Sequence, residues 1–435
     1  MLDRSSNRQK HSDDQPTRKY KDLAVQNRRP RMLIYSHDSF GLGHLRRCRT
    51  IAHSLVDHRE DLSVLILSGS PIIGSFGFRE RVDFVRIPGV IKLRHGDYSS
   101  LKLDMNIDDV MAMRASIIQH TADVFKPDVF LVDKEPLGLR GEVKDTLTML
   151  KARGTPLVLG LRDIIDAPEV LDEEWRRKDV YPALDTLYDH IWVYGLPGLY
   201  DPFEKLKLSD AVRKKSKYTG YLRRTWNQSA PRSQPTFFNN EPYILVNTGG
   251  GGDGDVLVDW VLRAYEHDPG IAHPSLLLLG PFMRSSQQAE FIDRVSRLEK
   301  VEVITFETNV ESLVSQAMGI VSMGGYNNFC EILSFDKRGL IVPRMAPRQE
   351  QHIRARRAEE LGLARMLLAD GDRSPVRMAD ALRALPQQSL PSDVRLPGIL
   401  DGLSTINGIV DSWLEKEPRQ QTGKQPGLTV ISGKT

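Results

Sequence analysis

The stretch from Ile320 to Gln351, IVSMGGYNNFCEILSFDKRGLIVPRMAPRQEQ, gathers residues whose types and spacing could do chemistry. An apolar run breaks at Gly324-Gly325, a polar helix start follows, and Glu331 falls about one turn inside that helix. A second apolar run, Gly339 to Val342, empties into a proline-bearing loop with Arg348, Gln349, Glu350 and Gln351. Glycines ahead of a helix N-terminus suit a diphosphate, because unpaired backbone N–H groups and the helix dipole both favour an anion. A carboxylate deeper in the helix suits a ribose diol, and a Glu-Gln pair suits sugar hydroxyls. Taken alone, Glu331 fits a solvated helix carboxylate better.

Two further glycine stretches follow apolar runs. Tyr243 to Asp255, YILVNTGGGGDGD, is the most glycine-dense part of the chain. Gly249, Gly250 and Gly251 can turn successive N–H groups toward an oxyanion with no side chain in the way. No GK[ST] follows, so this is not a Walker loop. Earlier, Gly41-Leu42-Gly43-His44 ends the run Arg31–Ser36 and opens a helix. A dinucleotide fingerprint would need a third glycine where Arg46 stands, which argues against a nicotinamide cofactor.

Together the three stretches resemble the MurG-like group of GT-B glycosyltransferases: RMLIYSHDSFGLGHLRR for its first strand, glycine loop and histidine, YILVNTGGGGDGD for the donor-domain loop, and Ile320–Gln351 for the donor-binding half. The resemblance implies an α/β, GT-B architecture of two doubly wound Rossmann-like domains facing across a cleft. It implies a transferase moving a hexose-type sugar from a nucleoside-diphosphate sugar, with a UDP-sugar as the leading expectation, to an acceptor hydroxyl with inversion. Gly41, Gly43, the Gly249–Gly251 loop, Gly324, Gly325, Tyr326, Asn327 and Asn328 would approach the donor diphosphate. Glu331 would accept from the ribose, and Glu350 with Gln351 would hold the sugar. Enzymes of the group that use N-acetylglucosamine carry Gln-Gln there, so Glu350 leaves the sugar open. His44 would be the general base, kept neutral by the helix dipole. Asp163, beside Arg162 at the carboxyl end of Leu157–Leu161, is the alternative base, because ligands collect at the carboxyl ends of parallel strands. The group's glycine-rich acceptor loop is replaced by Asp133-Lys134-Glu135-Pro136, so its lipid-linked acceptor is not carried over. A lipid-linked, glycan or small-molecule acceptor all remain open. Two other readings use the same scaffold: a nucleotide-sugar hydrolase or epimerase, and a non-catalytic nucleotide-sugar-binding module.

The elements that must position these residues show as short continuous apolar runs alternating with helical stretches, the rhythm of parallel sheets covered on both faces. That rhythm gives a basic leader over 1–31, a first domain over 32–222, a Pro/Ser/Asn-rich linker over 223–242, a second domain over 243–415 and a tail over 416–435. The leader and the tail are expected to be disordered. Net charge is +3, but residues 1–31 hold nine Lys/Arg against four Asp. That basic leader, with the apolar-basic stretch Ile72–Arg81, suggests at most peripheral membrane contact. No nucleic-acid partner, metal site or cofactor other than the nucleotide-sugar substrate is expected. The two cysteines, Cys48 and Cys330, form no CxxC pair and fit a reducing cytoplasm.

Overall fold

A computed structural model describes residues 28–37, 42–92, 98–226, 238–250, 252–369, 371 and 373–415. The expected leader and tail, apart from residues 28–31, lie outside the described residues, as does most of the linker. The described residues form fifteen strands: β1 Arg31–Ser36, β2 Ser63–Ser68, β3 Val82–Arg86, β4 Val90–Lys92, β5 Tyr98–Ser100, β6 Val129–Asp133, β7 Leu157–Arg162, β8 His190–Tyr194, β9 Ser216–Tyr218, β10 Ile244–Asn247, β11 Ser275–Leu278, β12 Val301–Ile304, β13 Gly319–Ser322, β14 Arg338–Ile341 and β15 Arg365–Met366. They form one seven-stranded sheet, β3-β2-β1-β6-β7-β8-β9, one six-stranded sheet, β12-β11-β10-β13-β14-β15, and a β4-β5 hairpin. Both large sheets are parallel throughout. The two-domain, doubly wound α/β expectation is what the chain adopts.

The strands are apolar on both faces because helices cover both. Met32 and Ile34 of β1 join one core with Cys48, Ile51, Ala52 and Leu55 of the Gly43–His58 helix. Leu33 and Tyr35, pointing the other way, join a second core with Ile118, Leu147 and Leu184. Leu245 and Val246 of β10 divide between cores in the same manner. Cys48 and Cys330 are both buried on helix faces.

Strand order fixes where a ligand can sit. In the first sheet the winding reverses between β1 and β6, whose register runs from Met32 opposite Val129 to Tyr35 opposite Val132. In the second it reverses between β10 and β13, with Ile244 opposite Gly319 and Asn247 opposite Ser322. The loops leaving such neighbours part company and open a crevice at the carboxyl ends of the strands. The four connections concerned leave the strands at His37, Lys134, Thr248 and Met323, and the described residues Gly249, Gly250, Gly324 and Gly325 lie on the last two of them.

The last helix spans Gly402–Leu414. It returns to the first domain, where Trp413 stacks on His190 at 4.4 Å and on Trp192 at 5.9 Å between ring centroids. Asp411 reaches His58, the last residue of the Gly43–His58 helix, and Arg59, which follows it. Tyr221 N–H donates to the Ile399 carbonyl at 2.7 Å, so the outgoing and returning chains meet. The suggested apolar surface at Ile72–Arg81 is turned inward. Ile73 and Phe76 are buried against Leu42 and Leu45, with Ile72 and Phe78 packed beside them. Among the described residues no helix is long and apolar enough to cross a membrane.

Candidate functional site

A cavity of about 460 Å³ lies between the two sheets, within the size range of small-molecule sites. From the first domain it is lined by Leu42, Gly43, His44, Arg46, Arg47, Phe76 and Arg162. The second domain contributes Thr248 to Gly250, Gly325 to Asn328, Glu350 and Gln351, among others. Most of the expected residues therefore share one wall-to-wall space. Gly41 and Gly251 lie outside the described residues. Gly324, Glu331 and Asp163 are described but lie behind the lining.

The helices entering this space leave their first amides without a side-chain acceptor, as do others elsewhere in the fold, such as Lys144–Ala152 and Ser285–Val295. Those starting at Gly43, Asp255, Tyr326 and Glu350 carry no side-chain cap. Those starting at Ile107, Asp210 and Pro375 are capped by Asn106, Ser209 and Ser374. An uncapped N-terminus keeps its first N–H groups for another acceptor, and its dipole favours an anion there. Gly325 precedes the Tyr326–Ser334 helix, and a Cβ on it would meet nothing within 4 Å, so a ligand can approach the backbone. Gly324 and Gly249 hold φ of +75° and +73°, which bring the chain round at the ends of their strands in a conformation that favours glycine.

On the facing wall, His44 sits in the first turn of its helix with Nδ1 2.5 Å from Asp133 Oδ2. Arg47, one turn on, donates from Nε to Asp133 Oδ1 at 2.8 Å and from Nη2 to Oδ2 at 2.7 Å. Burial alone would raise the Asp133 pKa. Arg47 and His44 outweigh it and bring the carboxyl to about 2, so Asp133 is ionised and can only accept. The shared proton therefore sits on His44 Nδ1. The 3.0 Å approach of Arg47 Nη2 to that nitrogen is a close contact of two donors. Burial lowers the His44 pKa to about 4 despite the pull of Asp133. The ring is neutral near pH 7, and Nε2 keeps its lone pair. His37 stacks edge-on against it at 5.6 Å and is 6% exposed, a packing role.

Asp163 has a different task. It is fully buried, and Arg354 of the second domain donates to it from Nε at 2.8 Å and Nη2 at 2.6 Å. Tyr221 Oη donates at 2.8 Å. With both oxygens engaged and no place in the cavity lining, this carboxylate, expected as the alternative base, joins the two domains as a clasp behind the cavity. Arg348 adds a second clasp to Asp166 and Glu174 at 3.3 and 3.1 Å.

Glu331 is fully buried too. Its Oε1 accepts from Arg46 Nη2 at 2.6 Å, and Asn247 Nδ2 lies 3.3 Å from Oε2. Arg46 also reaches Glu311 at 2.8 Å, so one cation from the first domain serves two carboxylates of the second. A ribose can reach Glu331 only if Arg46 gives way. The side chains of Asn327 and Asn328 are used internally, donating to the Gly43 and Asn247 carbonyls at 3.1 and 3.0 Å, so their contribution to a ligand is backbone N–H. Tyr326 is buried, stacked on Tyr221 with Arg47 and Arg354 over its ring. Glu350 Oε1 accepts from Arg344 at 2.7 Å, whereas Oε2 is buried without a partner. Gln351 Oε1 accepts the Arg344 backbone N–H at 3.2 Å.

Sequence reasoning missed Asp133 and Arg47. Their signal was present: Arg47 lies one turn beyond His44, and Asp133 closes the apolar run VFLV at a carboxyl strand end. Only the pairing of β1 with β6 joins the two.

Residues 248–392 match the glycosyltransferase family 28 C-terminal domain. A sequence comparison with curated proteins finds no match. In fold, the chain is similar to a UDP-glucosyltransferase from Polygonum tinctorium capable of glucosylating indoxyl, at 14% identity and a TM-score of 0.60, over 89% of this chain and 99% of that one. It is similar to MurG of Acinetobacter baumannii at 12% identity and a TM-score of 0.53, again over 89% and 99%. A candidate UDP-N-acetylglucosamine 2-epimerase from Listeria monocytogenes shares the fold at 9% identity and a TM-score of 0.57, over 90% and 98%. Residues 248–392 thus resemble the C-terminal domain of family 28 glycosyltransferases, and the two Rossmann-like sheets make the GT-B fold.

Proposed function

We propose that this chain transfers a hexose-type sugar from a nucleoside-diphosphate sugar, a UDP-sugar first among them, to an acceptor hydroxyl with inversion at the anomeric carbon. One observation carries the reading. A neutral imidazole oriented by a carboxylate and uncapped helix amides of the family 28 domain line the same cavity from opposite sides. His44 Nε2 takes the acceptor proton as the hydroxyl oxygen attacks. Nδ1–H stays on Asp133, whose charge stabilises the imidazolium formed. The glycosidic C–O bond breaks, and the departing diphosphate's charge is met by N–H groups of the Gly325–Asn328 turn and the Gly249–Gly250 loop. Glu350 and Gln351 are the residues we assign to the sugar, and Glu331 to the ribose once Arg46 has yielded it.

The test is a calorimetric screen of nucleotide sugars, followed by product analysis with supplied alcohols and with a membrane extract. A glycosylated product supports transfer. Nucleotide release with water alone means hydrolysis, and binding without turnover means a binding module. The fold is shared with a candidate epimerase, so the fold alone does not choose between these.

A further inference from the structure

The cations lining the cavity are matched, with one exception. Arg46 is held by Glu311 and Glu331, Arg47 by both oxygens of Asp133, and Arg344 by Asp253 and Glu350. Arg162, the last residue of β7, lines the same space and forms no side-chain hydrogen bond or ion pair among the described residues. Its Nε is buried without a partner. Strand pairing explains its backbone, since it lies opposite Tyr194 in the sheet, but not its guanidinium. Across the cavity Glu350 is the acid that most strongly favours the charge on Arg162, yet no ion pair joins them, and Glu350 Oε2 is also without a partner. A gap flanked by an unmatched cation and an unmatched carboxylate oxygen is a space for a substrate group rather than a closed salt bridge.

We propose that Arg162 receives an oxyanion, a carboxylate or a phosphate, carried by the substrate at the sugar end of the cavity opposite Glu350. The proposal rests on the nucleotide-sugar reading above and adds the charge of what is bound there. The donor diphosphate is not the expected occupant, because the amides assigned to its departing charge, at Gly249–Gly250 and Gly325–Asn328, belong to the second domain and Arg162 to the first. Burial, with Arg47 and Arg354 nearby, lowers the Arg162 pKa to about 10, which still leaves a full positive charge at neutral pH. Holding that charge with no counter-group costs free energy that an anionic ligand returns on binding. Two sources fit the chemistry: a carboxylate on the transferred sugar, or an anionic group on the acceptor.

Calorimetry on the full chain and on Arg162→Gln and Arg162→Lys separates them. UDP alone should bind all three within about twofold. In the first arm, the wild type binds UDP-glucuronate at least tenfold more tightly than UDP-glucose, a preference lost in the Gln variant and largely kept by Lys. That places the anion on the sugar. In the second arm, the donors bind alike, but the UDP-saturated wild type binds inorganic phosphate at least tenfold more tightly than the Gln variant does. That places it on the acceptor. The proposal is overturned if UDP affinity itself falls tenfold in Arg162→Gln, which would make Arg162 a diphosphate ligand, or if neither arm separates the variant from the wild type. A wild type that binds none of UDP, GDP or dTDP overturns the proposal together with the reading beneath it.

Discussion

Replacing Asp163 by Asn distinguishes a clasp from a catalyst. Asp163 is fully buried, accepts two guanidinium hydrogen bonds and one from Tyr221, and faces Arg354, which is 0% exposed. The amide keeps the volume and removes the charge, stranding the guanidinium in the domain junction. Breaking a buried pair from one side costs ~3–5 kcal/mol, because the surviving ion stays desolvated. At ~2–4 °C per kcal/mol for domains of this size, the melting transition should fall by ~6–20 °C. Measured well below that transition, kcat should drop less than about tenfold, since Asp163 does not reach the cavity. The companion variant Asp163→Leu/Arg354→Leu removes both charges and should recover much of the loss, as apolar replacements of buried pairs commonly do. Differential scanning calorimetry and steady-state kinetics with the best donor of the screen are the assays. An unchanged melting temperature together with a kcat loss of ~10²-fold or more would refute the argument and return the proton to Asp163.

Other expectations follow from the same geometry. His44→Ala should lower kcat by ~10²–10⁴-fold while donor affinity, measured by calorimetry, stays within about twofold. Because the working form of His44 is neutral and its pKa is lowered to about 4, kcat/KM should hold as pH falls from neutrality and decline only through about 4; a midpoint near the ordinary histidine value of about 6.5 would contradict the buried dyad. Glu331→Ala should weaken nucleotide binding by ~1.5–3 kcal/mol, the worth of a hydrogen bond to a charged group, and unchanged affinity removes Glu331 from the site. Deleting residues 402–435 uncovers the surface that Ile406 and Val410 bury, and should cost the first domain ~3–6 kcal/mol of stability in a denaturant titration.

How far the sequence reaches is clear from particular residues. Apolar runs between turn residues mark the core strands within a residue or two, as at Gly319–Ser322 and Val129–Asp133, because parallel strands buried on both faces leave a continuous signal. The strands Val90–Lys92, Tyr98–Ser100, Ser216–Tyr218 and Arg365–Met366 leave none, being two or three residues long and held by neighbours rather than by pattern. Glycine loops and uncapped helix starts are legible for the same local reason. The partners of charged groups are not. Asp163 and Asp133 each end an apolar run, yet one meets Arg354 from 191 residues away and the other meets His44 and Arg47 across a strand pair. Nothing local tells these carboxylates apart.

The meeting of Tyr221 with Ile399 and Gly402 governs how the molecule can move. The chain passes between domains once on leaving the first and again on returning to it, and the two passages are laced together there. Tyr221 N–H donates to the Ile399 carbonyl, and Gly402 N–H donates to the Tyr221 carbonyl at 3.2 Å. Gly220 has φ of +91°, and a Cβ on it would lie 2.5 Å from the Gly398 carbonyl oxygen, so the two passages run in contact. Two tethers fixed far apart would brace the domains like the two sides of a door frame. Two tethers fixed at one place act as a single pivot. A swing of one domain on the other about that pivot would leave both passages unstretched, but it would have to part the Asp163–Arg354 and Arg348 clasps as well as Arg46 from Glu331.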